Sequence, residues 1–371
     1  MEVRVDAVEL RRVELPLVAP FRAAWGVETV RSALLVRVLG PGPDGWGECV
    51  AMRDPGYSAE SVDAAEGLLR TRLVPLVVGG TVAPAEVAGR LAGICGHPMA
   101  KAALELAVLD AGLRAAGQTL AAHLGGTRTV VDAGVSVGLM DSEAELLDAV
   151  AAYLEQGYRR VKLKIVPGRD VGPVAAVRAR FGDDVALQVD ANGAYRLADA
   201  DHLAELDAFD LLLIEQPLAD DDLTGHAELG RRLRTPICLD ESITSAAAAR
   251  TALALGACRV INIKAGRVGG YLEARRVHDV CVAAGAPAWC GGMLETGLGR
   301  AANVALASLP GFTLPGDLSA SDRYFRRDLT APFVLRDGQL TVPQGPGLGV
   351  EVDGDALAEL TSAVTLVRAG A

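Results

Sequence analysis

Five charged residues close apolar runs at a nearly constant interval. They are Lys164, Asp190, Glu215, Asp240 and Lys264, spaced 26, 25, 25 and 24 residues apart. That interval is the length of one strand–loop–helix–loop unit. Each charge falls where a strand would end. Strand candidates around this beat are Val130–Val137, Arg160–Ile165, Val185–Asp190, Leu211–Glu215, Ile237–Asp240, Val260–Lys264, Ala286–Cys290 and Phe312–Leu314. Helical stretches such as Glu143–Glu155, Ala198–Leu206, Ser245–Leu255 and Tyr271–Ala284 lie between them. Near-continuous apolar strands covered by helices are the mark of a parallel sheet. Eight such units imply an α/β fold of the (β/α)8-barrel type, whose active site gathers at the C-terminal ends of the strands.

The stretch Val161-Lys-Leu-Lys-Ile165 narrows the reading. Side chains alternate faces along a strand, so Lys162 and Lys164 point the same way. Burying two ammonium groups on one face is costly and calls for a function.

The first 125 residues follow another pattern, strands first and helices afterwards, which makes an α+β unit. Val3–Leu10 and Ser32–Leu39 suit antiparallel pairing, and Gly45-Trp-Gly-Glu-Cys-Val starts a return strand after the 41–45 turn. Loops are expected at 19–26, bringing Phe21, Arg22 and Trp25 together, and at 52–58. Helices are expected over 59–76, 84–94 and 99–125. The predicted organisation is a capping domain at 1–125, a barrel at 126–324 and a C-terminal segment, 325–371, that returns to the cap.

Half of the residues are apolar, the net charge is −11 and no basic run occurs. These features argue against a nucleic-acid or anionic-membrane partner. No stretch approaches the roughly 18 uninterrupted apolar residues of a membrane span, and the charged N-terminus lacks a signal-peptide core. The six cysteines form no CxxC pair, so they read as reduced core residues of a cytoplasmic protein.

Asp190, Glu215 and Asp240 come from three consecutive strands and should converge. Three carboxylates in one place repel unless a cation joins them. All-oxygen ligation suits Mg2+ or Mn2+. Lys164 and Lys264 would flank that ion from either side. The arrangement fits removal of a proton α to a carboxylate, with the metal stabilising the enediolate. Lysine is a poor base at its ordinary pKa of about 10.4. A nearby metal and the Lys162 ammonium would lower it, and Arg267 would act likewise on Lys264. Asn192 and Glu241 lie near enough to touch the site. A lone strand-end Asp is most often a helix cap, but five charged residues in one rhythm are not explained that way. The histidines fall outside the strand ends. The Gly266–Gly270 run lacks GxGxxG order. A metal-free Schiff-base aldolase and a non-catalytic barrel are the readings from other classes; the carboxylate trio speaks against the aldolase.

Lys162-Leu-Lys164, Asp190-Ala-Asn192, Ile214-Glu-Gln-Pro217, Cys238-Leu-Asp-Glu-Ser242 and Asn262-Ile-Lys264 resemble the enolase superfamily, muconate-lactonizing-enzyme subgroup. Trp289-Cys-Gly-Gly-Met-Leu-Glu295 and Leu314-Pro-Gly-Asp317 are similar to the o-succinylbenzoate synthase / N-succinylamino acid (N-acylamino acid) racemase family. The resemblance implies that Asp190, Glu215 and Asp240 bind Mg2+, and that Lys164 and Lys264 are the acid/base pair supported by Lys162. It implies that Phe21, Trp25, Met52 and Tyr57 close over the substrate from the cap, and that Ser136, Met293 and Ser319 line the pocket. A mandelate-racemase type would need a His on the Ala286–Cys290 strand, which has none. A dipeptide epimerase would carry Asp-x-Asp where this chain has Asp317-Leu-Ser319, so an acylated nitrogen or none is expected. Muconate cycloisomerisation fits the 291–295 motif less well. The substrate expected is a small carboxylate and the protein a homo-oligomer. Both the racemase and the menaquinone-pathway synthase need the same enediolate. Arg267 favours racemase competence, because the racemase needs Lys264 to gain and lose a proton.

Overall fold

The structure, a computed structural model, describes residues 1–23 and 26–370. Trp25, expected at the pocket, lies outside the described residues. The strands are β1 (Val3–Val5), β2 (Ala7–Ala23), β3 (Gly26–Leu39), β4 (Gly45–Cys49), β5 (Gly80–Val82), β6 (Val130–Asp132), β7 (Gly134–Val137), β8 (Arg160–Lys164), β9 (Leu187–Asp190), β10 (Ile214–Glu215), β11 (Ile237–Leu239), β12 (Val260–Ile263), β13 (Ala288–Cys290), β14 (Gln339–Thr341) and β15 (Thr361–Arg368).

β2 and β3 form a long antiparallel hairpin with Val8 opposite Val38 and Phe21 opposite Glu28. The segment expected as a loop at 19–26 is therefore largely paired strand in its described part. Pro16 and Pro20 disguise it, because proline cannot donate to a ladder; the register shifts between Pro16 and Phe21 to absorb them. The cap sheet runs β15-β2-β3-β4, so the C-terminal segment supplies its edge strand. β14 pairs instead with β6 beside the barrel. The expected 99–125 helix is two. Pro98–Ala116 ends at Gly117, whose φ of 65° is the left-handed cap that favours glycine. Thr119 then caps Leu120–Leu124.

Seven parallel strands follow one another in the order β7 to β13. The expected eighth strand, Phe312–Leu314, is reduced to a single bridge between Phe312 and Ala288. Pro315 withholds an N–H just where the ladder would continue. Closure is completed by the Asp317 N–H to the Cys290 carbonyl at 2.9 Å and the Gly134 N–H to the Gly316 carbonyl at 2.7 Å. Among the connections, Glu143–Glu155 and Tyr271–Ala284 are regular helices, whereas 197–209 breaks into short helical turns.

Cap and barrel share one continuous apolar core. Buried carboxylates stitch helix starts across it. Glu60 accepts from Met99 N and Ala100 N, and cap Glu105 accepts from Tyr271 N on a barrel helix at 2.6 Å. No described helix is long and apolar enough to cross a membrane.

Candidate active site

Register explains how the charged positions meet. Lys164 lies opposite Asp190, and Asp190 opposite Glu215. Glu215 is opposite Cys238, two residues before Asp240 and on the same face. Asp190, Glu215 and Asp240 are essentially inaccessible to solvent, at 1%, 0% and 0% exposure. Alternation along β8 turns three cations inward: Arg160, Lys162 and Lys164.

Lys162 is the most tightly held. Its Nζ donates to Asp317 Oδ2 at 2.6 Å and Glu215 Oε2 at 2.9 Å, and sits 3.3 Å from Asp190 Oδ2. Arg160 donates to Asp317 Oδ1 at 2.7 Å. Both cations face the Trp289 ring. Gly134 makes the space for Arg160, since a Cβ there would lie 2.4 Å from the guanidinium carbon. Burial pulls the Lys162 ammonium towards neutrality, but Asp317, Glu215 and Asp190 outweigh it and hold its pKa well above the ordinary lysine value. The Asp317 carboxyl, despite burial, is held well below the ordinary range by Lys162 and Arg160.

Lys164 donates to Asp190 Oδ2 at 2.6 Å and Asn192 Oδ1 at 2.7 Å. Burial works against ionisation of Asp190, yet Lys164 and Lys162 draw its pKa down to about 2. Across the barrel, four strands away, Lys264 donates to Asp240 Oδ2 at 2.8 Å and to the Tyr57 hydroxyl at 3.0 Å. Its ammonium lies over the Tyr57 ring. Burial opposes the Lys264 charge as well, but Tyr57, Glu241 and Glu215 raise its pKa. Arg267 reaches Lys264 only through shared partners. It donates to Asp240 Oδ1, to the Ile243 carbonyl at 2.8 Å and to the Asn262 carbonyl at 2.6 Å. Burial lowers the pKa of its guanidinium.

Lys264 thus stands above the ordinary lysine value, where a bound divalent ion and Arg267 were expected to lower it; Tyr57, Glu241 and Glu215 outweigh its burial. No three His, Cys, Asp or Glu groups among the described residues are arranged to hold an ion; Lys162 lies between Asp190 and Glu215, and Lys264 pairs with Asp240. The donor set nonetheless fits a hard divalent cation. It is all oxygen, and burial with the Asp190 charge pushes Glu215 upward, the mark of surplus negative charge. Burial and Asp190 likewise push Glu241 up to about 6. Glu241 Oε1 accepts from Asn192 Nδ2, while its buried Oε2 has no hydrogen-bond partner in the structure.

Above the charges, a cavity is lined by Phe21, Met52, Tyr57, Ser136, Lys162, Lys164, Asn192, Lys264, Met293 and Asp317. Its free interior is about 50 Å³. Ser136 Oγ is buried there without a partner. Ser319 is not in this wall; its Oγ turns back to the Gly134 carbonyl at 3.4 Å. The structure adds Gly292, Leu294, Glu295 and Tyr324 to the lining. It also adds Asn262, whose Nδ2 donates to Glu215 Oε1 at 2.7 Å. Arg160 and Asn262 each lie two residues before an inward-facing lysine, Lys162 and Lys264 respectively, so strand alternation alone would have found them.

Comparison with known proteins matches this architecture. A model described as "Mandelate racemase / muconate lactonizing enzyme, N-terminal domain" covers residues 7–125, and "Enolase C-terminal domain-like" covers 145–356. An N-succinylamino acid racemase from Amycolatopsis sp. is 62% identical over 97% of this chain and 98% of its own length. An o-succinylbenzoate synthase from Geobacillus kaustophilus is 48% identical over 95% of each. A crystal structure of an enolase superfamily member from Listeria innocua is 39% identical, covers 98% of this chain and 99% of that one, and superposes with a TM-score of 0.94. The chain belongs to the mandelate racemase / muconate lactonizing enzyme family of the enolase superfamily.

Proposed function

We propose that this protein is an N-succinylamino acid racemase, acting on N-acylamino acids by removing the proton α to the carboxylate, with o-succinylbenzoate synthase activity as a second reaction. The observation that carries the reading is the pair of lysines, Lys164 and Lys264, lining one cavity from strands on opposite sides of the barrel. The names of the 62% and 48% identical relatives support it. A dedicated o-succinylbenzoate synthase is the alternative, since the Geobacillus relative bears that name. The reading includes a cytoplasmic homo-oligomer acting on a small carboxylate.

Asp190, Glu215 and Asp240 are the residues that would hold a divalent cation, Mg2+ in this reading or Mn2+ in its place. When bound, that ion offsets negative charge developing on the substrate carboxylate. In the racemase direction, neutral Lys164 Nζ accepts the α-proton on one face and the Lys264 ammonium returns one on the other; the opposite enantiomer reverses the roles. Lys162, anchored by Asp317, remains a fixed positive charge beside the developing oxyanion. Tyr57, reaching from the cap onto Lys264 and Asp240, excludes water from that side. Phe21, Met52 and Met293 enclose the apolar part of the substrate. In the dehydration Lys164 suffices as base, hydroxide leaves from the neighbouring carbon, and Lys264 serves as a cation.

The test is α-proton exchange of both enantiomers of N-succinyl-phenylalanine in D2O, alongside a direct assay of the dehydration. EDTA-sensitive exchange is expected. Inertness towards both substrates sinks the reading and leaves family membership intact.

A further inference from the structure

We propose that Glu48, on cap strand β4, is a positioning residue that fixes the barrel wall carrying Met293 and Leu294, and through it sets how large a substrate side chain the pocket accepts. The proposal rests on the racemase reading above.

Glu48 is 5% exposed and belongs to the cap, yet its carboxylate is spent wholly on the barrel. Oε1 accepts from Thr296 N at 3.0 Å; Oε2 accepts from Thr296 Oγ1 at 2.7 Å and Gly299 N at 3.0 Å. These donors open the Gly297–Ala307 helix, where a carboxylate is favoured by the unsatisfied N–H groups and the helix dipole. The fit is close, for a Cβ on Gly299 would approach Oε2 to 2.8 Å.

The loop that enters this helix is the pocket wall. Gly292, Met293, Leu294 and Glu295 all line the cavity. Leu294 has a φ of 58°, a conformation a leucine keeps only when its surroundings impose it. Glu295 braces the loop from inside, accepting from Met293 N at 2.8 Å and Asn303 Nδ2 at 2.9 Å. Glu48 braces it from the cap. Four residues further along the chain from Glu48, Met52 lines the same cavity from the cap. One side chain thereby sets the spacing between the cap wall at Met52 and the barrel wall at Met293. Lys162 and Lys164 stand on β8, and Lys264, at the end of β12, meets the loop at Gly291. Lys164 is anchored on Asp190 and Lys264 on Asp240, so a wall loosened from its Thr296 end weakens its grip on the substrate while the proton-transfer groups keep their anchors. Binding energy removed equally from ground and transition state shows in KM rather than kcat.

The test compares wild type, Glu48→Gln, Thr296→Val and Thr296→Ser on N-succinyl-alanine and N-succinyl-phenylalanine, with kcat, KM and calorimetric Kd for each. Thr296→Val deletes one hydrogen bond to Glu48 and guards against a Glu48 variant that fails to fold. For Glu48→Gln and Thr296→Val, KM and Kd for the phenylalanine compound should rise about tenfold, matching loss of one charge-assisted hydrogen bond. The alanine compound and both kcat values should stay within about threefold, and Thr296→Ser should restore the wild-type pattern. Equal shifts for both compounds, a fall in kcat alone, or no shift overturns the proposal while an active wild type upholds the racemase reading. A wild type that neither binds nor turns over either compound sinks both.

Discussion

Asp317→Asn tests whether the buried cations on β8 are held by design. Arg160 is 0% exposed and Asp317 9%, and Asp317 bridges Arg160 at 2.7 Å and Lys162 at 2.6 Å. Removing one partner of a buried pair costs about 3–5 kcal/mol, because the remaining charge is stranded. The loss divides unequally here. Lys162 keeps Glu215 at 2.9 Å and Asp190 at 3.3 Å, whereas Arg160 keeps no carboxylate, just the Pro315 and Val135 carbonyls at 2.9 and 3.5 Å and the Trp289 ring face. With Lys162 cushioned, the expected destabilisation is at the lower end, about 3 kcal/mol, read as a lower urea midpoint with an unchanged slope at pH 7. The sign with pH follows. The Asp317 carboxyl is held below its ordinary value in the fold, so its contribution is present above the unfolded carboxylate pKa and fades as pH falls. The gap between wild type and variant should therefore narrow in acid. Lys162 would also lean harder on Glu215 and Asp190, raising the Mg2+ needed for half-maximal exchange by about tenfold if one charge-assisted hydrogen bond shifts. A midpoint shift equivalent to less than about 1 kcal/mol, the value of an exposed pair, would refute the reasoning.

Lys164→Ala and Lys264→Ala should each abolish exchange from one enantiomer by roughly a thousandfold, with opposite preferences; loss of both enantiomers in both variants would show that the lysines do not divide the two faces. Arg267→Gln should reduce racemisation more than dehydration, since only the racemase cycles the Lys264 proton; equal loss or none removes Arg267 from that role. Burial raises Glu105 from 4.5 to about 7, against the Tyr271 and Leu272 N–H groups that favour its charge. Its stabilising contribution should be complete below about pH 4.5 and fade by about 3 kcal/mol as pH rises to 7. Glu105→Gln, which keeps an acceptor for Tyr271 N, should flatten that slope in denaturation measured from pH 5 to 8; an unchanged slope refutes it.

Much of the fold was readable because parallel strand units repeat the same physical requirement. Each needs a fully apolar strand and an amphipathic helix, so period and strand ends recur. The departures have local causes acting over one or two residues. Pro315 turns the eighth strand into a single bridge, and Gly117 divides one helix into two. The 19–26 stretch, expected as a loop, is largely paired strand in its described part, the prolines at 16 and 20 being accommodated by a register shift between Pro16 and Phe21. Pairing energy from a long hairpin outweighs two missing donors, and no short window contains that information.

The site was readable by the same token and failed where partners come from far along the chain. Alternation on one strand reveals Lys162 and Lys164, and applied once more it reveals Arg160. It does not reveal that Asp317, 155 residues from Lys162, closes the ring and meets both. Nor does it show that cap residue Tyr57 reaches Lys264. The surroundings of Lys162 stay hidden for that reason: the closed barrel places three carboxylates around it, which hold its pKa above the ordinary lysine value. Two of those, Asp190 and Glu215, belong to the trio proposed for the divalent ion, and an oxygen given to a cation is a weaker acceptor for an ammonium. Asp317 stands outside the trio. With that ion bound, Asp317 would be the carboxylate left to Lys162, and Arg160 holds that carboxylate at 2.7 Å. Replacing the outer pair together by apolar groups, Arg160→Met with Asp317→Leu, should then restore much of the stability lost in Asp317→Asn, because no stranded guanidinium remains. It should leave the Mg2+ requirement high, because Lys162 would still lack the partner that draws it away from Glu215. Stability and metal requirement recovering together would mean that Asp317 serves the barrel core alone.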